Sequence, residues 1–275
     1  MNHPPAHLEG PVPEDVLVVV AHPDDEILWL SPVVGHAAVI VAALPVQPTN
    51  AALSQARELL REQYPVERFE YLPLQGSAVF HHSDWLRRRP VDYGVTLGPS
   101  CPPERAQAYR GNYPALLAAL EPYVREHHEI FTHNPWGEYG HEEHVQVSNA
   151  VVHLAQRHGA SVWSWDGFSP RQLLAYEMRL RNDYFRRGTR SLPRLRLRND
   201  IALYANVKRL YQDHEAWTWD PGYELPTMAD YIQLVRAGER LLRPRPRPPA
   251  GQAGRIFARK VRSRVAGTEK ALWPK

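Results

Sequence analysis

The chain of 275 residues contains one cysteine, Cys101, which excludes an intramolecular disulfide. Such sparing use of cysteine is typical of proteins from a reducing cytoplasm. No apolar run approaches the roughly 20 residues that a membrane-spanning helix needs. The polar, proline-rich start, Met1 to Pro13, lacks the apolar core of a secretory signal peptide. We therefore expect a cytoplasmic globular protein.

Acidic residues are nearly absent from residues 243–275, where ten basic residues accompany one acid, Glu269. The net charge of +3 thus divides into +9 on this segment and −6 on residues 1–242. The basic pI therefore gives no indication that the body of the protein binds nucleic acid. Alternating arginine and proline from Arg243 to Pro249 predicts an extended linker. We expect a folded domain over residues 1–242 and a basic tail, either solvated or in contact with an anionic membrane surface or an acidic partner.

The most informative stretch is a buried strand that ends in ionisable residues. Five consecutive apolar residues, Val16 to Val20, predict a strand covered on both faces. A histidine, His22, and three acids follow within six residues, and the acids are Asp24, Asp25 and Glu26. Side chains at the carboxyl end of such a strand lie where open α/β sheets bind ligands, and imidazole with carboxylate suits zinc. The alternative is a solvated acidic turn.

Strand and helix signals alternate along most of the chain, which predicts a parallel sheet with right-handed crossovers. The expected fold is a Rossmann-like α/β three-layer sandwich with a mainly parallel sheet and a basic C-terminal extension. Further strands are expected at Val39–Leu44, Phe69–Leu74, Glu129–Thr132 and Ser161–Trp165, and helices at Glu26–Gly35, Asn50–Glu62, Tyr113–His127, His144–His158 and Ile201–His214. The long segment Gly76–Asn112 fits no simple element and is either a rim of the site or a surface insertion.

A second polar cluster follows the predicted strand Glu129–Thr132. His141 and His144 are spaced i and i+3, so a helix that begins here brings them close together. Alternatively, they are surface residues at the start of a helix. Because both clusters follow strands at the same edge of one sheet, the sequence favours a shared site over two separate polar turns.

The two motifs, Ala21-His22-Pro23-Asp24-Asp25-Glu26 and Tyr139-Gly140-His141-Glu142-Glu143-His144, resemble those of the PIG-L/LmbE-like family of zinc-dependent N-acetylglucosaminyl deacetylases. The resemblance extends over the α/β pattern from about Val16 to Trp165. It implies that His22, Asp25 and His144 hold the metal, Zn²⁺ or another divalent ion such as Fe²⁺. Three protein ligands with open positions also suit a hydrolytic metal on chemical grounds.

The resemblance further implies the roles of four neighbouring side chains. Asp24 is expected to act as the general base, and His141, in its cationic form, to stabilise the oxyanion with help from Tyr139. Glu143 is expected to orient His141 and favour its charged form, although the family often has aspartate at this position. From their positions in the sequence alone, and not from the resemblance, four further residues are expected at the rim of the site: His133, Asn134, Trp136 and Glu138.

The sequence therefore predicts a metal-dependent hydrolase that removes an acyl group, most simply acetyl, from an amino sugar or glycoconjugate. The metal and Asp24 do not identify the leaving group, so the same site also suits a non-sugar amide or an ester. A third hypothesis is that the chain is a non-catalytic binding or scaffold protein with this fold, which uses its basic tail to recruit a partner.

Overall fold

A mixed β-sheet with helices on both faces forms the fold of residues 7–83, 90–167 and 192–240, which the computed structural model describes. The strands are β1 (His7–Glu9), β2 (Val16–Val20), β3 (Ala37–Ala42), β4 (Phe69–Tyr71), β5 (Pro90–Val91), β6 (Gly94–Val95), β7 (Glu129–Thr132), β8 (Ser161–Trp165), β9 (Arg194–Arg198), β10 (Met228–Arg236) and β11 (Glu239–Arg240). The helices are α1 (Asp25–Trp29), α2 (Ser31–Val34), α3 (Ala51–Arg61), α4 (Pro103–Glu126), α5 (Glu142–His158) and α6 (Ile201–Asp213). The predicted α/β three-layer fold is confirmed.

The strand order places a topological switch point in the middle of the sheet. Strands β4, β3, β2, β7 and β8 are neighbours in that order, and all four pairs are parallel. The chain leaves β2 toward β3 and β4 on one side and later returns to β7 on the other side. Ligands of doubly wound folds bind at the carboxyl ends of the strands at such a point. The two predicted motifs follow β2 and β7, the two strands that flank it.

An antiparallel strand, β10, interrupts the parallel order, because it lies between β8 and β9 and pairs antiparallel with both. Strand β1 pairs parallel with β9 at the outer edge. None of these three strands was among those predicted from the sequence. Strand β9 nevertheless shows a strand signal, since Leu195 and Leu197 alternate with arginines and are buried.

The two faces of β2 contribute to two different apolar cores. Leu17 packs into the cluster that includes Leu120 of α4, whereas Val18 packs into the cluster that includes Val207 of α6. All five residues of β2 are fully buried. Because helices cover both faces of the sheet, the strand is apolar throughout rather than alternating.

Two helix predictions require correction, and both helices contain proline. The helix predicted at Glu26–Gly35 is two short helices, since Pro32 lies in the first turn of α2 and does not allow α1 to continue through it. The helix predicted from Tyr113 begins ten residues earlier and contains Pro114 and Pro122 in its interior. Both prolines are exposed, so the carbonyl groups that lack a proline N–H partner remain accessible to water. Pro114 is thus not a helix start.

The predicted linker and basic tail, residues 243–275, lie outside the described residues and remain predictions. Residues 84–89 of the segment Gly76–Asn112 also lie outside the described residues. Within the residues that the structure does describe, no helix combines the length and apolar character required to cross a membrane.

Candidate metal centre

The turn after β2 fixes Asp25 by both of its carboxylate oxygens. Asp25 Oδ2 accepts a hydrogen bond from the backbone N–H of His22 at 2.9 Å, and Oδ1 accepts one from Trp29 Nε1 at 3.0 Å. Trp29 lies one turn later on the short helix α1, which brings its indole back over Asp25. The carboxylate therefore has a defined orientation at the carboxyl end of β2.

Three buried imidazoles surround Asp25 Oδ2. Its distances are 3.2 Å to His144 Nε2, 3.3 Å to His22 Nδ1 and 3.5 Å to His133 Nε2. Burial alone would raise the pKa of Asp25, but His144 and His133 hold it well below the usual value. The carboxylate is therefore ionised at neutral pH, and β2, β7 and α5 each contribute to one cluster, as the two motifs predicted.

The loop between β7 and α5 folds back so that Glu138 reaches two of these imidazoles. Asn134 Oδ1 accepts the backbone N–H of Glu138 at 2.9 Å, and Glu138 adopts a left-handed conformation with φ of 53°. Glu138 Oε2 then lies 2.7 Å from His144 Nδ1 and 3.1 Å from His133 Nδ1. Glu138 is fully buried. The expectation that it lies at the rim is wrong, since it is an inner partner of His144 and His133.

We expect Gly137→Ala to disrupt this loop. Gly137 has a φ of 73°, and an added Cβ would lie 2.4 Å from the carbonyl oxygen of His141. Gly159, which ends α5 with a φ of 77°, has open space at the same position and provides a matched control. Gly159→Ala should cost about 1–2 kcal/mol of unfolding free energy for its left-handed backbone. Gly137→Ala should cost more and should also weaken metal binding, as measured by chemical denaturation and metal titration; equal costs would contradict the clash.

Backbone donors determine which imidazole nitrogens are available to a cation. His133 Nε2 accepts the N–H of Ala21 at 2.8 Å, so its proton is on Nδ1, toward Glu138. His144 directs Nδ1 to Glu138, and its buried Nε2 has no hydrogen-bond partner among the described residues. His144 is therefore open to a cation, and His133 is not.

His141 is the residue just before α5, and its ring is stacked between two others. It lies 4.5 Å from the ring of His144 and 4.6 Å from the ring of Phe80, measured between centroids. Its Nδ1 accepts the backbone N–H of Glu143 at 3.2 Å. Burial, together with the positive charges of His144 and His22, holds the pKa of His141 well below the usual value. The expected cationic form is therefore wrong; His141 is neutral and carries its proton on Nε2.

The carboxylate of Glu143 contacts His22 rather than His141. Its Oε2 lies 2.8 Å from His22 Nε2, and its Oε1 accepts hydrogen bonds from the hydroxyl and backbone N–H of Ser77. Burial would lower the pKa of His22, but Asp25 and Glu143 raise it to about 9. The prediction that this carboxylate orients His141 is incorrect. His141 Nδ1 accepts the backbone N–H of Glu143, and the Glu143 carboxylate contacts His22. Glu143 instead orients His22, with Nδ1 toward Asp25.

Asp24 has its carboxylate held by a residue that the sequence analysis did not identify. Asp24 Oδ2 accepts hydrogen bonds from the backbone N–H of Thr218 at 3.0 Å and from its hydroxyl at 2.5 Å. Its Oδ1 makes no hydrogen bond to the described residues. Burial, reinforced by the charge of Asp25, raises the pKa of Asp24 to about 6. One oxygen is thus anchored and the other is available, which suits a group that exchanges protons near neutral pH.

The start of the segment Gly76–Asn112 lies directly beside the site. Ser77 binds Glu143, and the backbone N–H of Ser83 donates to Glu142 Oε1 at 2.8 Å. Phe80, between these two anchors, covers one face of the His141 ring. These contacts favour a rim over a surface insertion, although the last ten residues of the segment belong to α4.

Tyr139 contributes an aromatic wall to the same centre. Its ring lies edge-on to His141 and His144, with centroid distances of 5.9 Å and 5.5 Å. Trp219 packs against it at 5.0 Å. The expected help of the Tyr139 hydroxyl in catalysis remains a prediction.

The composition of the centre fits a bound divalent cation. Six acids are at most 3% exposed, and they are Asp24, Asp25, Glu26, Glu138, Glu142 and Glu143. Burying this many carboxylates is costly unless cations accompany them. Histidine and carboxylate donors also come within coordination range: ligand atoms of His22, His141 and His144 lie within 4.8 Å of one another, as do those of Asp25, His133 and His144. The residues present therefore suit zinc or a similar ion.

Comparisons with known proteins give distant structural likenesses, of which two are described below. No protein-family model matches the sequence, and no curated protein gives a significant match. A deacetylase solved in complex with teicoplanin, from the biosynthesis pathway of teicoplanin, is 11% identical with a TM-score of 0.46, covering 82% of this chain and 99% of that one. The zinc-inhibited form of teicoplanin deacetylase is also 11% identical with a TM-score of 0.38, covering 80% and 98%. Because the identities and TM-scores are this low, the description of the fold and of the site depends on this chain's own residues alone.

Proposed function

We propose that this protein is a metal-dependent N-deacylase of the PIG-L/LmbE type, acting on an N-acetylated amino sugar or glycoconjugate. The observation that carries the proposal is the arrangement around Asp25, where three imidazoles approach one carboxylate and each is in contact with a second acid. Glu143 supports His22, and Glu138 supports His144. Outer carboxylates of this kind orient metal-binding histidines and make them stronger ligands.

His22, Asp25 and His144 are the proposed metal ligands. His133 is unsuitable because its Nε2 accepts the N–H of Ala21 and its Nδ1 carries the proton. His141 is unsuitable because its Nδ1 accepts the N–H of Glu143 and its Nε2 carries the proton. A divalent ion bound by these three residues supplies Lewis acidity toward the acyl carbonyl and makes a nearby water more acidic. Three protein ligands leave positions open for water and substrate.

Asp24 is the proposed general base, acting through Oδ1. It removes a proton from the water as this adds to the acyl carbon, while Thr218 keeps Oδ2 in place. The neutral His141 donates a hydrogen bond from Nε2 to the carbonyl oxygen as negative charge develops there. Asp24 then delivers its proton to the amine nitrogen as the C–N bond breaks. The products are the free amine and the carboxylic acid, so one water is consumed and the protons balance.

The experiment that tests the proposal combines metal analysis with activity on a substrate panel. The purified full chain is depleted of metal, reloaded with Zn²⁺ or Fe²⁺, and incubated with N-acetylated amino sugars, simple N-acyl amides and esters. We expect metal-dependent release of acetate, with the amino sugars cleaved fastest. Preference for the amides or esters would overturn the substrate class, and no release from any of them by the loaded protein would overturn the hydrolase.

A further inference from the structure

Glu26, the last residue of the first motif, is buried in a hydrogen-bonded cluster next to Asp24. Its side chain is fully buried. Glu26 Oε1 accepts hydrogen bonds from the hydroxyls of Tyr64 at 2.9 Å and Tyr211 at 2.8 Å. Glu26 Oε2 accepts the backbone N–H of Asp24 at 2.9 Å. The mechanism above does not use Glu26, yet three separate parts of the chain converge on it.

The backbone at Asp24 adopts a conformation that aspartate alone does not favour. Asp25 N–H donates to the His22 carbonyl at 3.2 Å, which closes a β-turn with Pro23 in its second position. Asp24, the third residue, has φ of 100° and ψ of −23°. These are the values of a type II turn, whose third position normally holds glycine or asparagine. The more common type I turn also accepts proline at the second position and places no residue at positive φ.

The direction of the Asp24 N–H distinguishes the two turns. Converting type I into type II rotates the peptide between Pro23 and Asp24 by roughly half a turn, as the ideal angles require. In this protein the rotated N–H meets two acceptors at once, Glu26 Oε2 at 2.9 Å and the Tyr211 hydroxyl at 2.9 Å. A buried N–H without a partner is unfavourable, so these acceptors stabilise the type II form over the type I form.

We infer that Glu26, together with Tyr211, is the positioning residue for Asp24. It selects the type II turn, in which the Asp24 carboxylate contacts Thr218 while Asp25 is held by Trp29. The inference rests on the proposed function where it concerns catalysis, and on geometry alone where it concerns the turn. Adjacent acids in the motif thereby separate, so that Asp25 contacts the imidazoles and Asp24 remains available for the proton.

The test compares Glu26→Gln and Tyr211→Phe with a matched control, Tyr204→Phe. Tyr204 is also buried on α6, and its hydroxyl donates to the Tyr223 carbonyl at 2.7 Å, away from Asp24. We expect kcat to fall at least 10-fold in the first two variants, since small misplacements of a catalytic group have effects of this size or larger. KM and metal content should stay within about 2-fold of the wild type, and Tyr204→Phe should keep its kcat.

A double-mutant cycle separates positioning from general stability. If Glu26 acts through Asp24, Glu26→Gln should lower kcat by less than about 2-fold when Asp24 is already Asn. The same 10-fold loss in both backgrounds would overturn the inference, because Glu26 would then act independently of Asp24. Tyr211→Phe provides the same cycle if Glu26→Gln fails to fold.

Amide hydrogen exchange tests the turn without any activity. In Glu26→Gln and Tyr211→Phe, we expect the Asp24 amide to exchange at least 10-fold faster than in the wild type. The Ala43 amide, bonded to the Val20 carbonyl at 2.8 Å, is the internal control and should not change. Unchanged exchange at Asp24 would overturn the inference even in an active enzyme. A protein that hydrolyses nothing, but loses protection only at Asp24, would refute the proposed function and leave the positioning role intact.

Discussion

Asp24→Asn is expected to retain the metal and to lose at least 100-fold in kcat/KM, and up to about 10⁴-fold, the usual contribution of a general base. Asparagine keeps an oxygen acceptor for Thr218, and it tolerates positive φ better than most residues, so the turn should survive. The substitution removes the carboxylate oxygen that would accept the proton from the attacking water. The measurements are initial rates on the best substrate of the panel and metal content by elemental analysis.

Asp213→Asn provides the control for this substitution, because Asp213 is exposed at the end of α6. It makes the same chemical change without touching the site and should leave kcat/KM unchanged. Activity of Asp24→Asn within about 3-fold of the wild type, at full metal content, would show that another group takes the proton. Loss of the metal together with activity would instead place Asp24 among the ligands.

The positions of the first motif were predictable because local signals determine them. An unbroken apolar run predicts β2 with sheet neighbours and helices on both sides, and the polar residues after it must then lie at the carboxyl edge. Similarly, the histidines that flank Glu142 and Glu143 lie close together because α5 begins there. The predictions that succeeded concern residues close in sequence to an element end.

The partners of these residues were not predictable in the same way. Thr218 is 194 positions away from Asp24, and Tyr211 is 185 positions away from Glu26. Neither residue has a sequence signal, since a threonine between two tryptophans and a tyrosine in a helix each suit an ordinary surface or core. Only the packing of α6 beside α1 brings them to the site. Long-range pairing of this kind is decided by the tertiary fold.

The two corrected roles have a common physical origin. The family resemblance implied that the Glu143 carboxylate orients His141. In the structure, the backbone N–H of Glu143 donates a hydrogen bond to the His141 ring. The side chain of the residue before a helix is well placed to accept from an unpaired N–H in the first turn of that helix. His141 accepts this bond on Nδ1, and the Glu143 carboxylate contacts His22 instead. A prediction from side chains alone omits these backbone donors.

His144→Ala is expected to abolish specific metal binding and, with it, at least 10³-fold of the hydrolytic rate. The substitution removes the one buried imidazole nitrogen at the centre that has no hydrogen-bond partner among the described residues. It also leaves Glu138 with His133 as its single imidazole partner. His153→Ala is the matched control, since His153 is exposed on the same helix and should bind metal as the wild type does. Equilibrium dialysis against Zn²⁺ measures the affinity of each protein.

Thermal unfolding provides a readout of this prediction that does not depend on any substrate. A ligand that binds only the folded state adds about 2.7 kcal/mol when its free concentration is 100 times Kd. Zn²⁺ should therefore raise the Tm of the wild type and of His153→Ala by several degrees, and a chelator should reverse the change. The Tm of His144→Ala should not respond to Zn²⁺. Asp25→Asn, which is nearly isosteric, should behave in the same way, because the charge that holds the cation is gone and the amide can accept only one of the two hydrogen bonds from His22 and Trp29. A zinc-dependent Tm in both variants would place the ion elsewhere, and the His22, Asp25 and His144 assignment would be wrong.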